Sequence, residues 1–182
     1  TGGSAIVAKK MGEGKKDEAN QNFTFLFIVL MAVGTLVTIG VLVFIDPLLS
    51  FLGAIETLYT YSYDYLFTTV MFTLVTMAKL YFDFFLVTSG KANLALINSV
   101  IGGVTNVILD YVFMGPLNMG MAGAAYATEI AMILPVILSF IYFASKKLTI
   151  CFTKPKAGIK LVLSACANGS SEMVVQISAG IS

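Results

Sequence analysis

Between Phe23 and Ile45 the chain carries no charged residue. As a helix this stretch reaches about 34 Å at 1.5 Å per residue, enough to cross the ~30 Å hydrocarbon core of a bilayer. A segment of this kind leaves few alternatives to a spanning helix, and the rest of the chain agrees with that reading. Of 182 residues, 58% are hydrophobic and 12% are charged, and the mean hydropathy is +0.90. A water-exposed surface takes roughly 25% charged residues. The sequence therefore predicts an all-α, polytopic membrane bundle.

Three more spans follow. Tyr63 to Thr88 is apolar and aromatic, with Lys79 and Asp83 inside it. Leu94 to Met114 is interrupted by Asn98, Asn106 and Asp110, and Gly120 to Ala144 holds Glu129 and Pro135. Ile159 to Ser182 reads as the start of a fifth span with Glu172 inside it. Residues 1–22 read as a polar loop leading into an amphipathic helix start, Asp46-Pro47 as the end of the first span, and Leu48 to Ser62 as a short connection. Ser89-Gly90-Lys91 and Gly115-Pro116-Leu117-Asn118 read as turns. The chain opens on Thr1 and stops within an apolar segment, which predicts an internal piece of a longer protein.

The lysines order these spans. Lys9, Lys10, Lys15 and Lys16 precede the first; Lys91 lies between the second and third; Lys146, Lys147, Lys154, Lys156 and Lys160 follow the fourth. Only Lys79 falls outside this alternate-loop pattern. Lysine-rich loops stay in the cytoplasm, so residues 1–22, the 89–91 turn and residues 145–160 are expected inside.

Ionisable groups within the bilayer are costly and mark function. Ser99, Gly102, Gly103, Asn106 and Asp110 recur at three- and four-residue steps on one helix face, opposite Leu96, Val100, Val104 and Val107. A polar stripe of this kind faces a cavity or another helix. Asp110 has no cationic residue on its own helix, so it is expected to be protonated or to bind a cation. Asn106 lies about 12 Å from the outer end of its helix, and Thr128 about the same depth down the next. The two can meet at one level, one turn from Asp110. A carboxylate, an amide and a hydroxyl suit Na⁺ or a proton relay. The glycines have a plainer reading as close-packing positions. Lys79 and Asp83, four apart, form a self-neutralising pair or line a cavity. Glu129 faces the cavity or pairs with Lys79. Cys151 and Cys166 have no metal or redox spacing and read as packing residues.

The opening Gly2-Gly3-Ser4-Ala5-Ile6-Val7-Ala8-Lys9-Lys10-Met11-Gly12-Glu13-Gly14-Lys15-Lys16-Asp17-Glu18-Ala19-Asn20 resembles the loop after the second helix of multidrug and toxic compound extrusion (MATE) transporters. Ser89-Gly90-Lys91-Ala92-Asn93 resembles their turn before the fifth helix. Asn106-Val107-Ile108-Leu109-Asp110, followed by Gly120-Met121-Ala122-Gly123-Ala124-Ala125-Tyr126-Ala127-Thr128, resembles their fifth- and sixth-helix signature. The motifs stand in the family's order and cover essentially the whole chain. The resemblance implies part of the first lobe of a two-lobed, twelve-helix transporter. Residues 1–22 would be a cytoplasmic loop, 23–144 four helices of the N-terminal lobe (helices three to six), 145–160 the inter-lobe linker, and 161–182 the start of the C-terminal lobe.

It further implies an antiporter in a plasma (inner) membrane, exporting amphipathic or cationic organic compounds in exchange for H⁺ or Na⁺, without an organic cofactor. Asn106, Asp110 and Thr128 match the family's cation site, which a helix-one aspartate completes. Tyr65 matches a tyrosine near the cavity; Lys79, Asp83 and Glu129 are further candidates for its wall. The partners expected are the substrate, the lipid bilayer and the remaining helices of the transporter, with no nucleic acid. The chain departs from the family at Val87 to Ser89, where an arginine is often found, and at Glu129, where apolar residues are common. The alternatives are a lipid-linked oligosaccharide flippase of the same superfamily, or a non-transporting membrane assembly protein. No enzyme is expected: there is no His, and no Ser stands beside a plausible base.

Overall fold

The computed structural model describes residues 2–51, 56–145, 149–155 and 158–181. Its elements are helices: α1 (Gly2–Gly12), α2 (Lys16–Val43), α3 (Ile45–Phe51), α4 (Glu56–Thr88), α5 (Ala92–Met114), α6 (Gly120–Ala144) and α7 (Ile159–Ile181). Four are long and apolar enough to cross a membrane: Lys16–Val43, Leu66–Thr88, Ala92–Met114 and Ala122–Ala144. These are the four expected spans. The fifth expected span forms helix α7, but it is not among these four. Asn168, Gly169 and Ser170 lower its hydropathy at mid-length.

Two stretches expected as irregular are helical. Within residues 1–22, α1 occupies Gly2–Gly12 and α2 starts at Lys16. Gly14 ends α1 with φ +75°: its N–H donates to Met11 O at 3.1 Å, and the Lys15 N–H to Lys10 O at 3.0 Å. This is the paired closure that favours glycine in the left-handed region. Asp17 and Glu18 then stand in the first turn of α2, where negative charge favours a helix N-terminus. The described residues of the connection, 48–51 and 56–62, likewise fall in α3 and the first turns of α4. Pro47 does not merely stop the preceding span. It sits in the first turn of α3, where its missing N–H has no helical partner to lose. The turn at 89–91 is as expected: Gly90, at φ +75°, donates to Val87 O, and Lys91 to Leu86 O.

The chain divides into two compact units. Unit one comprises Thr1–Val29, Tyr81–Ala95 and Phe140–Ser182; unit two comprises Leu30–Leu80 and Leu96–Ser139. Unit one is built on an aromatic core. Phe23 meets Phe85, Phe143 and Phe152 with ring centroids 4.8, 5.0 and 5.0 Å apart, and the Tyr81 hydroxyl donates to Phe23 O at 2.6 Å. Each aromatic pair adds about 0.5–1.5 kcal/mol beyond its area burial.

The described part of the basic linker is anchored to this core. The Cys151 N–H donates to Asn20 Oδ1 at 3.1 Å, the Thr153 N–H to Thr24 Oγ1 at 3.0 Å, and Ile150 is buried. Lys146, Lys147 and Lys156 lie outside the described residues. α1 packs on α7, and a side chain at Gly2 would collide with the backbone of Ala165 and Gly169.

In unit two, Gly34 of α2 lies against Met77 and Leu74 of α4. α5 and α6 pack antiparallel along the small and polar positions of α5. The aliphatic positions Leu96, Val100, Val104 and Val107 are exposed, as befits a surface for lipid.

Candidate functional site

The α5–α6 contact of unit two advances along α5 in steps of four residues. At the first step, the buried Asn98 amide donates to the buried Ser139 hydroxyl at 2.7 Å. At the second, Gly102 lies so close to α6 that a Cβ there would stand 3.2 Å from Pro135 Cγ. At the third, Asn106 Nδ2 donates to Thr128 Oγ1 at 3.2 Å. At the fourth is Asp110, whose Oδ1 is buried and has no hydrogen-bond partner among the described residues. Gly102 is thus a close-packing glycine, whereas Gly103 meets nothing within 4 Å of its would-be Cβ.

A cavity of about 200 Å³ opens beside this contact. Ser99, Gly102, Gly103 and Asn106 of α5 line it, with Thr128, Ala131, Met132 and Pro135 of α6 and Lys79 of α4. Pro135 is buried inside α6 and has no N–H to offer the Ala131 carbonyl one turn earlier. That carbonyl oxygen lies 3.7 Å from the would-be Cβ of Gly102, at the cavity wall. The site thus offers hydroxyl, amide and backbone carbonyl oxygens together, with a carboxylate about 6 Å further along the α5 axis.

The expected site residues fall in different places. Asn106 and Thr128 meet, and Lys79 joins them on the cavity wall. Asp110 is one turn along α5 and does not line the cavity. Glu129 is buried at the α4–α6 contact, where its Oε2 accepts a hydrogen bond from the Thr76 hydroxyl at 3.1 Å. Thr76 also approaches Phe72 O at 3.4 Å and Met132 Sδ at 3.6 Å. Asp83 belongs to unit one. The Tyr65 side chain lies outside the described residues. Sequence reasoning missed Thr76 and the Asn98–Ser139 pair; a buried Asn facing a Ser on the neighbouring span was the available signal.

Outside the spans, two titrating groups are shifted. The Lys10 amine is held above its usual range by its hydrogen bond to Glu18, at 2.7 Å. The Tyr59 phenol is raised by its hydrogen bond to Asp46, at 2.6 Å.

Four helices long and apolar enough to cross a membrane, three of which wall a cavity with polar groups on it, define a multi-pass integral membrane protein. The MatE family model matches residues 1–112, and the chain belongs to this family, the MATE transporters. Asn106 and Asp110 fall within the matched residues; Thr128 lies beyond them. The helices match part of the twelve-helix MATE fold.

Among curated proteins, the multidrug export protein MepA of Staphylococcus haemolyticus is 24% identical over 97% of this chain and 42% of its own length. An inward-facing multidrug resistance MATE family transporter of the MOP superfamily superposes with a TM-score of 0.86. It is 23% identical, over 92% of this chain and 39% of that one. An outward-facing conformation gives 0.87 at 22% identity, over 98% and 41%. A MOP superfamily transporter from Pyrococcus furiosus, described as having a binding pocket of reversed polarity, gives 0.89 at 23% identity, over 99% and 40%. The chain spans less than half the length of each of these relatives.

Proposed function

We propose that the chain supplies helices three to six and the start of helix seven of a secondary antiporter in the plasma (inner) membrane. The transporter exports amphipathic, often cationic organic compounds in exchange for H⁺ or Na⁺. Residues 1–22 and 145–160 are cytoplasmic on this reading, and residues 161–182 begin the second lobe. The observation that carries it is the Asn106–Thr128 hydrogen bond with the buried Asp110 Oδ1, unpartnered among the described residues, one turn away. A buried carboxylate oxygen without a donor is suited to a proton or a hard cation. The Thr128 hydroxyl, the Asn106 carbonyl oxygen and the Ala131 carbonyl are oxygen donors of the kind that replace a cation's hydration shell.

Loading Asp110 changes its charge and therefore the cost of each packing of α5 against α6. Exchange follows if the cation and the organic substrate favour different packings, because a ligand shifts an equilibrium only by its differential affinity for the two states. The MepA relative and the two MATE conformations support multidrug export as the activity. Efflux of a fluorescent cationic dye from proteoliposomes, under a pH gradient and then a Na⁺ gradient, tests the proposal. Dye that stays in under both gradients would refute it.

Lys79 on the cavity wall favours a second reading, in which the cavity accepts an anionic substrate such as a lipid-linked oligosaccharide. Competition of the dye by an anionic lipid-linked sugar, absent with a neutral analogue, would support that reading.

A further inference from the structure

Within unit one, α1 and α7 wall a second cleft, of about 610 Å³. Lys9, Lys10 and Glu13 line it from α1 and its closing turn, and Lys160 and Ser164 from α7. Glu13 stands four residues from Lys9 and three from Lys10, and Ser164 four from Lys160, so Glu13 lies on the same side of its helix as the two lysines and Ser164 on the same side as Lys160.

The charges of this cleft are unevenly compensated. Lys10 is bound to Glu18 at 2.7 Å, and Glu13 is flanked by Lys15 at 3.5 Å and Lys10 at 4.0 Å. Lys9 and Lys160 are exposed and have no ion-pair partner among the described residues, and the Ser164 hydroxyl has no hydrogen-bond partner among them. Two uncompensated ammonium groups and a hydroxyl therefore face one concavity from two different helices. Ile6 and Leu161 add an apolar wall beside them. The cleft falls in the size range of small-molecule sites, roughly 300–1,000 Å³. Tetrahedral anions with several acceptor oxygens satisfy ammonium and hydroxyl donors together.

We propose that the α1–α7 cleft is a binding site for a phosphate-bearing anion, held by Lys9, Lys160 and the Ser164 hydroxyl. Two sources supply such a phosphate: an anionic phospholipid headgroup, for which Ile6 and Leu161 form the apolar flank, and free phosphate. The site is separate from the cavity of unit two, and the proposal does not depend on the coupling ion or the exported compound.

The test uses the full chain in a neutral detergent, with native mass spectrometry reading bound short-chain phosphatidylglycerol against phosphatidylcholine. Phosphatidylglycerol is expected to bind in preference, and Lys9→Gln/Lys160→Gln to weaken it by about tenfold or more. Lys91→Gln/Lys154→Gln removes the same charge outside the cleft and should weaken binding by less than about threefold. Both pairs are exposed, so neither removes a packed side chain. Displacement of the lipid by millimolar inorganic phosphate would identify free phosphate as a ligand; retention would identify the headgroup. Equal binding of the two lipids, equal loss in both double variants, or no binding at all would overturn the proposal.

Discussion

The Asn106 side-chain amide donates to the Thr128 hydroxyl across the α5–α6 contact at 3.2 Å, and that hydroxyl donates onward to Ala124 O at 3.0 Å. The direction of this chain matters. With the Thr128 hydrogen committed to α6's own backbone, one lone pair accepts from Asn106 and the other remains for a cation. Thr128→Val keeps the shape and removes both lone pairs. We predict about tenfold slower gradient-driven efflux, the equivalent of one hydrogen bond, with Thr128→Ser close to wild type. Initial dye-efflux rates check this.

Asn98 and Ser139 act as a clamp rather than a ligand pair. Both are buried, and removing either partner leaves a polar group facing an apolar neighbour. Asn98→Ala and Ser139→Ala are each expected to destabilise the chain by about 1–2 kcal/mol. Their coupling in a double-mutant cycle should be about 0.6–1.7 kcal/mol, the range for hydrogen bonds between spanning helices. Unfolding titrations of the single and double variants measure it.

Adjacent glycines on α5 should behave oppositely. A side chain at Gly102 meets Pro135, whereas one at Gly103 meets open space. Gly102→Leu is predicted to cost about 1–3 kcal/mol by overpacking, and Gly103→Leu less than about 0.5 kcal/mol. Thermal unfolding of the two variants distinguishes them.

The first turns of α4 carry a pH-dependent contact. The Tyr59 hydroxyl donates to Asp46, and this bond raises the phenol's pKa. The stabilisation is fully present below the unfolded tyrosine value, about 10, and is lost as pH rises through the higher folded value. Alkaline titration of phenolate absorbance should show a late-titrating component that is smaller by one tyrosine in Tyr59→Phe and partly shifted earlier in Asp46→Asn.

The spans were legible in the sequence because lipid demands long apolar runs. Phe23 to Ile45 could hardly be anything else, and the runs Tyr63 to Thr88, Leu94 to Met114 and Gly120 to Ala144 follow at similar length. α1 was hidden by its glycines and lysines, since its helicity depends on packing against α7, far along the chain. α3 was hidden by Pro47, which reads as a stop when it is in fact a start. The polar face of α5 was legible from its four-residue steps, and so was the meeting of Asn106 with Thr128 from their equal depths. The Thr76–Glu129 contact was not, because no local spacing relates α4 to α6. The anchoring of Cys151 and Thr153 by Asn20 and Thr24 was invisible for the same reason: a coil segment carries no periodicity to show what it lies against.

The central claim is that Asp110 carries the coupling ion. Asp110→Asn keeps the shape of the side chain and removes its charge and its exchangeable proton. The most direct measurement is dye efflux from proteoliposomes holding the intact transporter, wild type against Asp110→Asn, under an imposed pH or Na⁺ gradient. Equal helical content and equal dye binding in the two proteins would exclude misfolding. Loss of gradient-driven efflux with dye binding retained is the predicted result. Full efflux by Asp110→Asn under the same gradient would contradict it.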